Sequence, residues 1–192
     1  MKRLSILAIF TIVSLSLSAQ AALYFDVGGG LGTATTKIDG EDISDSLDSD
    51  IEFAVDINAK VGVGPIANIP VYLVADLGVC RHNYYALIDY NLVSYLIGPG
   101  LVVYPFPALQ ISGSAGYSWT ANETSATYLT MYDSESGYAY NVSAAFDFGK
   151  RNNGFLLGAR YFYSNNTLET SKAEQETSMI SIFAKYAYRH KK

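Results

Sequence analysis

Cysteine is nearly absent from this chain: among 192 residues only Cys80 carries a thiol. No intrachain disulfide can form, and no Cys/His cluster offers zinc a ligand set. Stability has to come from a core, a closed sheet or lipid. Basic residues are scarce as well. Lysine and arginine number 13 against 18 aspartate and glutamate, for a formal net charge of −5. That balance argues against nucleic acid as a partner, because phosphate binding needs clustered Lys and Arg. Long apolar runs are missing after Ala21. No later stretch approaches the roughly 18 consecutive apolar residues of a helical membrane span, so a helical membrane protein is excluded.

The first 21 residues read as a targeting segment. Lys2 and Arg3 give a short positive region, and Leu4 to Leu17 is apolar apart from Ser and Thr. Ala19-Gln20-Ala21 supplies the small residues read by a signal peptidase, with cleavage before Ala22. Residues 1–21 are therefore expected to be a cleaved signal peptide for Sec-type export. The mature chain then has 11 basic against 18 acidic residues, a net −7. No cysteine follows the cleavage site, so a lipid anchor is not expected. A second, wall-binding domain is not expected either.

Aromatics are abundant: 16 Tyr, nine Phe and one Trp. They suit strands and membrane interfaces. The dominant pattern is alternation with a period of two. It is clearest from Ile51 to Val61. Ile51, Phe53, Val55, Ile57, Ala59 and Val61 fall on one face, and Glu52, Ala54, Asp56, Asn58 and Lys60 on the other. A strand separates these sets; a helix would mix them. Ala22–Thr36 sets Leu23, Phe25, Val27 and Leu31 against Tyr24 and Asp26. Val71–Arg81 sets Leu73, Ala75, Leu77 and Val79 against Tyr72, Asp76 and Cys80. The same two-faced writing recurs over Asn91–Tyr104, Gln110–Thr120, Gly137–Gly149, Gly154–Ser164 and Ser178–Tyr188. The expectation is eight strands, each long enough for a tilted membrane crossing.

Connections alternate in expected length. Pro65–Pro70, Pro105–Leu109 and Lys150–Asn153 are short. Lys37–Asp50, His82–Tyr90, Ala121–Ser136 and Asn165–Thr177 are longer and polar. Outer-membrane barrels have short periplasmic turns and long external loops. Aromatics gather near the strand ends: Tyr90, Tyr95, Trp119, Tyr138, Tyr140, Tyr161 and Tyr163 by the long loops. Phe25, Tyr104, Phe106, Phe146, Phe148, Phe155, Tyr186 and Tyr188 lie by the short turns. Two interfacial bands are expected from them. The predicted fold is an all-β, up-and-down antiparallel transmembrane β-barrel over residues 22–192.

With these patterns the chain resembles the small outer-membrane barrels typified by OmpA and OmpX. Tyr24-Phe-Asp-Val-Gly-Gly-Gly-Leu-Gly32 is similar to their glycine-rich first strand. Ile182-Phe-Ala-Lys-Tyr-Ala-Tyr188 is similar to the closing strand read by the barrel-assembly machinery. The chain departs from that group at its end, where Arg189-His190-Lys191-Lys192 follows Tyr188 in place of a terminal aromatic.

With lipid outside, the polar face points into the barrel. Lys60 and Asp76 lie at matching distances from the turn near Pro65–Pro70, so they should stand opposite each other. Asp26 should oppose Lys60, and closure should bring Lys185 near Asp26. A ring of Lys185, Asp26, Lys60 and Asp76 is expected. Arg160 should sit higher, within reach of Glu52 or Asp56. These groups are expected to fill a narrow interior, because eight strands leave room for little more than side chains. A gated ion path is the sharper alternative.

Other motifs carry less. The Gly28–Gly32 run lacks dinucleotide-binding spacing and precedes no helix, so strand bending and close packing account for it. The acidic segment holding Asp39, Glu41, Asp42, Asp45, Asp48 and Asp50 offers carboxylates for Ca²⁺ or for bridging to lipopolysaccharide, but lacks a Ca²⁺-loop motif. It reads more simply as a solvated loop. His82 with Ser94 is the conceivable base and nucleophile, and no motif marks them. Cys80 reads as a packing residue. No cofactor, metal or catalytic set is expected. The reading is a monomeric, non-enzymatic outer-membrane protein with a structural or surface-interaction role. Its expected partners are membrane lipid, lipopolysaccharide, the assembly machinery and a host or envelope ligand at the loops. The alternatives are a soluble secreted barrel with a small apolar ligand inside, and a narrow outer-membrane channel.

Overall fold

The computed structural model describes residues 22–44, 51–66, 69–85, 90–122, 133–150 and 153–189, with only the backbone of Ile51, Glu52, Tyr85, Tyr90 and Asn122. The expected signal segment, residues 1–21, lies outside the described residues, as do Asp45, Asp48, Asp50 and the side chain of Glu52. Period-two alternation yields strands almost throughout. They are β1 (Ala22–Ile38), β2 (Glu41–Asp42), β3 (Ile51–Gly64), β4 (Val71–Tyr85) and β5 (Tyr90–Phe106). They continue with β6 (Leu109–Asn122), β7 (Gly137–Asp147), β8 (Gly154–Thr167) and β9 (Glu174–Arg189).

Eight long strands pair with their neighbours in chain order, all antiparallel, and β9 pairs back onto β1. The sheet closes into an up-and-down barrel of eight strands. β2 is a two-residue return beside the end of β1. Closure leaves no long edge strand, which is what lipid demands of a sheet. The shortest of the eight has 11 residues and the longest 17. About 9–11 residues suffice for a tilted crossing, so the strands project beyond the bilayer.

The two faces separate as the alternation predicts. Ile182, Phe155 and Leu31 point outward and are 69 %, 67 % and 66 % exposed, whereas Asp26 and Lys60 point inward at 0 %. Apolar side chains cover the outside, and the buried charges point inside together with apolar clusters. A water-soluble barrel with an apolar interior needs the reverse. Outside, Tyr95 stacks on Trp119 at 4.8 Å, and Tyr138, Tyr140, Tyr161 and Tyr163 cluster on β7 and β8. At the other end Phe146 meets Phe148, and Phe155 meets Tyr186.

Several details differ from the sequence reading. All four segments expected to be long loops are partly strand, with β1 running to Ile38 and β6 to Asn122. β4 runs to Tyr85 and β5 starts at Tyr90; β8 runs to Thr167 and β9 starts at Glu174. Hydrogen-bonded hairpins continue past the membrane because nothing in His82–Tyr85 or Asn165–Thr167 breaks a strand. Tyr104 is no member of the outer band. It lies on the same face as Val102, points inward and is fully buried. β5 also carries a proline at mid-strand. The ladder with β6 runs to Ile97↔Tyr117 and resumes at Gly100↔Ser114, while the ladder with β4 is unbroken through Ala75↔Pro99. The missing N–H of Pro99 therefore falls on the β6 side, opposite Ala115.

Candidate functional site: the barrel lumen

The lumen is layered. The end where β1 starts and β9 stops is the terminal end, and the opposite end is the loop end. At the terminal end, Tyr24, Tyr72, Val74, Val102 and Tyr104 form a buried cluster. The Gln110 side-chain amide donates to Tyr24 Oη at 2.9 Å and to Tyr104 Oη at 2.6 Å. Arg189 pairs with Asp147 at 2.7 Å and lies over the Tyr104 ring, 4.7 Å from its centroid. Its backbone N–H donates to Asn153 Oδ1 at 2.6 Å. Arg189 is thus a buried anchor of the closing strand.

The charged layer comes next. Asp26↔Lys60 and Lys60↔Asp76 are cross-strand partners. Lys60 Nζ lies 3.2 Å from Asp76, and Lys185 Nζ lies 3.1 Å from Asp26. Arg160 reaches across the lumen to Asp56 at 2.8 Å. The structure thus brings together Asp26, Lys60, Asp76 and Lys185, and separately Asp56 with Arg160. Glu52 pairs with Tyr84 in the β3–β4 ladder, but its side chain lies outside the described residues.

Neutral groups that the sequence reading passed over complete this layer. Asn58 donates to Asp76 and accepts from Lys60 at 2.5 Å and from Arg160 at 3.3 Å. Ser114 and Asn141 donate to Asp76 at 2.5 and 2.8 Å. Ser181 donates to Asp56, and Tyr24 to Asp26. Phe183 offers its ring to Arg160 and Lys185, at 4.7 and 5.2 Å from the centroid. Each described buried charge in these layers has an opposite charge within reach, as burial requires.

Above the charges lies an apolar septum of Ala34, Ala54, Cys80, Leu96, Ala139, Phe162 and Met179. The Cys80 thiol contacts the Met179 thioether at 3.1 Å. Beyond the septum the lumen turns polar again. Thr36 lies 3.2 Å from both His82 Nδ1 and Thr177 Oγ1. Ser94 and Thr120 share a hydrogen bond of 2.9 Å, and Asn166 donates to Thr120 at 3.0 Å. His82 and Ser94 thus engage different hydroxyl partners. Ile43, Tyr84 and Leu92, with Ile38 packed against them, roof this layer. The turn that carries Ile43 over the mouth has Asp39 at φ 50° and Gly40 at φ 86°. Consecutive positive φ values match the tight hairpin turn for which Asp-Gly is favoured.

Among the described residues no group of three or more His, Cys, Asp or Glu could hold a metal ion. The described lumen side chains engage one another through charge pairing and hydrogen bonding.

No protein-family model matches the sequence. No curated protein matches it in sequence either. Solved structures match it in fold. Ail, the attachment invasion locus protein of Yersinia pestis, in complex with the heparin analogue sucrose octasulfate, superposes with a TM-score of 0.54. The identity is 18 %, over 86 % of this chain and 99 % of that one. The Neisserial surface protein A superposes with a TM-score of 0.52 at 15 % identity, over 88 % of this chain and 99 % of that one. At such identities the likeness shows the fold: the chain is an eight-stranded barrel of the small outer-membrane type.

Proposed function

We propose that this protein is a non-enzymatic outer-membrane barrel, exported by the Sec route, that anchors its loops as an interaction surface. One observation carries the reading: the lumen is filled by paired charges and crossed by an apolar septum. A filled, sealed barrel leaves the loops as its accessible surface outside lipid, and loops on rigid scaffolds are where binding concentrates. Ser94 bonds to Thr120 and His82 lies beside Thr36, and this reading gives neither a catalytic role. Membrane lipid and lipopolysaccharide surround the barrel, the assembly machinery inserts it, and a host or envelope ligand meets the loops.

Charge narrows the ligand. Asp39, Glu41, Asp42, Asp45, Asp48 and Asp50 face a single Lys37 in the first long segment. Ail was crystallised with a polyanion. A polyanion would be repelled here, whereas a cationic partner would be drawn in. Sucrose octasulfate is therefore expected not to bind this protein in a calorimetric titration.

The test of function replaces residues 45–50 and 123–132 with Gly-Ser linkers. Cells expressing the variant should retain a heat-modifiable barrel in the outer membrane and lose surface attachments conferred by the native chain. Unchanged attachment would overturn the loop role, and hydrolysis of an added lipid or peptide by the purified native protein would overturn the non-enzymatic one.

A further inference from the structure

Three side chains of the charged layer hold one another in an arrangement that charge pairing alone does not require. Asn58 and Lys60 are two apart on β3 and share its inward face. Asp76 stands opposite Lys60 on β4. Lys60 Nζ lies 2.5 Å from Asn58 Oδ1 and 3.2 Å from Asp76 Oδ2. The other oxygen of that carboxylate, Oδ1, accepts from Asn58 Nδ2. One carboxylate thus bridges an amine and the nitrogen of an amide, while the amine sits against the oxygen of the same amide.

The surroundings fix the orientation of the amide. Its nitrogen faces two acceptors, Asp76 and the Leu77 carbonyl oxygen, the latter at 3.2 Å. Its oxygen faces two cations, Lys60 and Arg160, the latter at 3.3 Å. Lys60, Asn58 and Asp76 are at most 1 % exposed and Arg160 is 4 % exposed, so bulk water does not compete for these groups. With a C=O bond of about 1.23 Å, the 2.5 Å contact places Asn58 Cγ within about 3.7 Å of Lys60 Nζ. Atoms poised to react stand about 3–3.5 Å apart.

We infer that Lys60 and Asn58 join in an isopeptide bond within β3, with Asp76 as the proton carrier of the reaction. Asp76 Oδ2 takes a proton from the Lys60 ammonium, and the freed amine attacks Asn58 Cγ. The Nζ–Cγ bond forms and an electron pair moves onto Oδ1, where Arg160 stabilises the negative charge. Asp76 passes its proton to Nδ2, the Cγ–Nδ2 bond breaks, and ammonia leaves as the carbonyl re-forms. Nζ sheds its surplus proton to Asp76. The products are a secondary amide, ammonia and a protonated Asp76, and no further reactant enters. A buried ion pair gives way to two neutral groups, which favours the product inside the barrel. One cation and one anion vanish together, so the layer stays balanced.

The experiment follows the intact mass of the chain before and after refolding from urea into vesicles. The unfolded chain should have its full mass, and the refolded chain that mass less one ammonia. After renewed unfolding, trypsin should no longer cut at Lys60, and the uncut peptide spanning Asn58 and Lys60 should carry the loss. Asp76→Asn keeps the shape and removes the proton carrier. Once its heat-modifiable band shows that it has folded, it should keep its full mass and be cut at Lys60. The wild-type measurement decides the matter even where that variant fails to fold. A refolded wild-type chain of full mass overturns the proposal. So does a loss of ammonia with cleavage at Lys60 retained, since Asn58 has then closed on its own backbone. Loss of ammonia at these residues in folded Asp76→Asn overturns the part given to Asp76.

Discussion

At the scale of single residues, the buried charges decide whether this lumen holds. Arg160 is tied to Asp56 at 2.8 Å with both side chains nearly inaccessible. Removing one partner leaves an uncompensated charge, which costs about 3–5 kcal/mol, whereas replacing both with apolar groups is often close to neutral. Arg160→Met is therefore expected to lower stability by about that amount in urea unfolding of the vesicle-inserted protein. Adding Asp56→Leu should recover about half of the loss or more. The recovery is partial because Ser181 and Asn58 also bond within this group. A double variant as weak as the single one would mean that the charges act independently.

The residue scale also shows what was legible in the sequence. Lys60 and Asp76 are equidistant from one short turn, so their pairing follows from counting. Arg160 and Asp56 follow less directly, because they meet across the lumen between strands distant in sequence. Asp147 with Arg189 was hidden: the alternation fades after Tyr188, so Arg189 reads as tail, yet the ladder carries it opposite Tyr24. Asn58, Ser114 and Asn141 were invisible for another reason. Neutral polar residues on an inward face look alike, and only geometry shows which of them meet a carboxylate. Tyr104 sits beside a turn, where an interfacial aromatic is expected, but its parity within β5 turns it inward.

At the scale of elements, the β5–β6 seam is the weak point of the wall. Pro99 breaks one rung toward β6 while the β4 side stays intact. Ala115, opposite it, faces outward at the middle of the sheet, where lipid offers its carbonyl no donor. Backbone groups unpaired in lipid are costly, and prolines in closed sheets are correspondingly rare. Pro99→Val restores the donor and should raise stability by about 1 kcal/mol. A shift of the urea midpoint upward checks it; a downward shift would show that the proline supplies a bend the wall requires. Gly98 and Gly116 sit beside the break, and a Cβ on either would run into the opposite backbone. The strands touch closely here, which no alternation pattern could have announced. Most strand faces were legible, because inside and outside differ in polarity; β5 was the exception, since it turns Leu96, Val102 and Tyr104 inward. Strand ends were not, since the hairpins continue in water on hydrogen bonds that hydropathy does not register.

At the scale of the whole molecule, the barrel is closed around a lumen of paired charges. Four described ion pairs, Lys60–Asp76, Lys185–Asp26, Arg160–Asp56 and Arg189–Asp147, leave the lumen layers internally neutralised. The apolar cluster that includes Leu96, Phe162 and Met179 lies between the charged layer and the polar layer at the loop end. In planar bilayers the protein should insert without conductance above noise. Resolved unitary steps would restore the narrow channel as the working reading.

The claim beneath all of this is that the apolar face of the sheet meets lipid. Trp119 is the single tryptophan of the chain, outward on β6 and stacked on Tyr95. The direct measurement is quenching of its fluorescence, in protein refolded into vesicles, by lipids brominated on their acyl chains and by aqueous iodide. Strong quenching by the brominated lipids with little by iodide is the predicted result. Strong quenching by iodide with none by lipid would contradict it and leave the apolar face without the membrane it is built to meet.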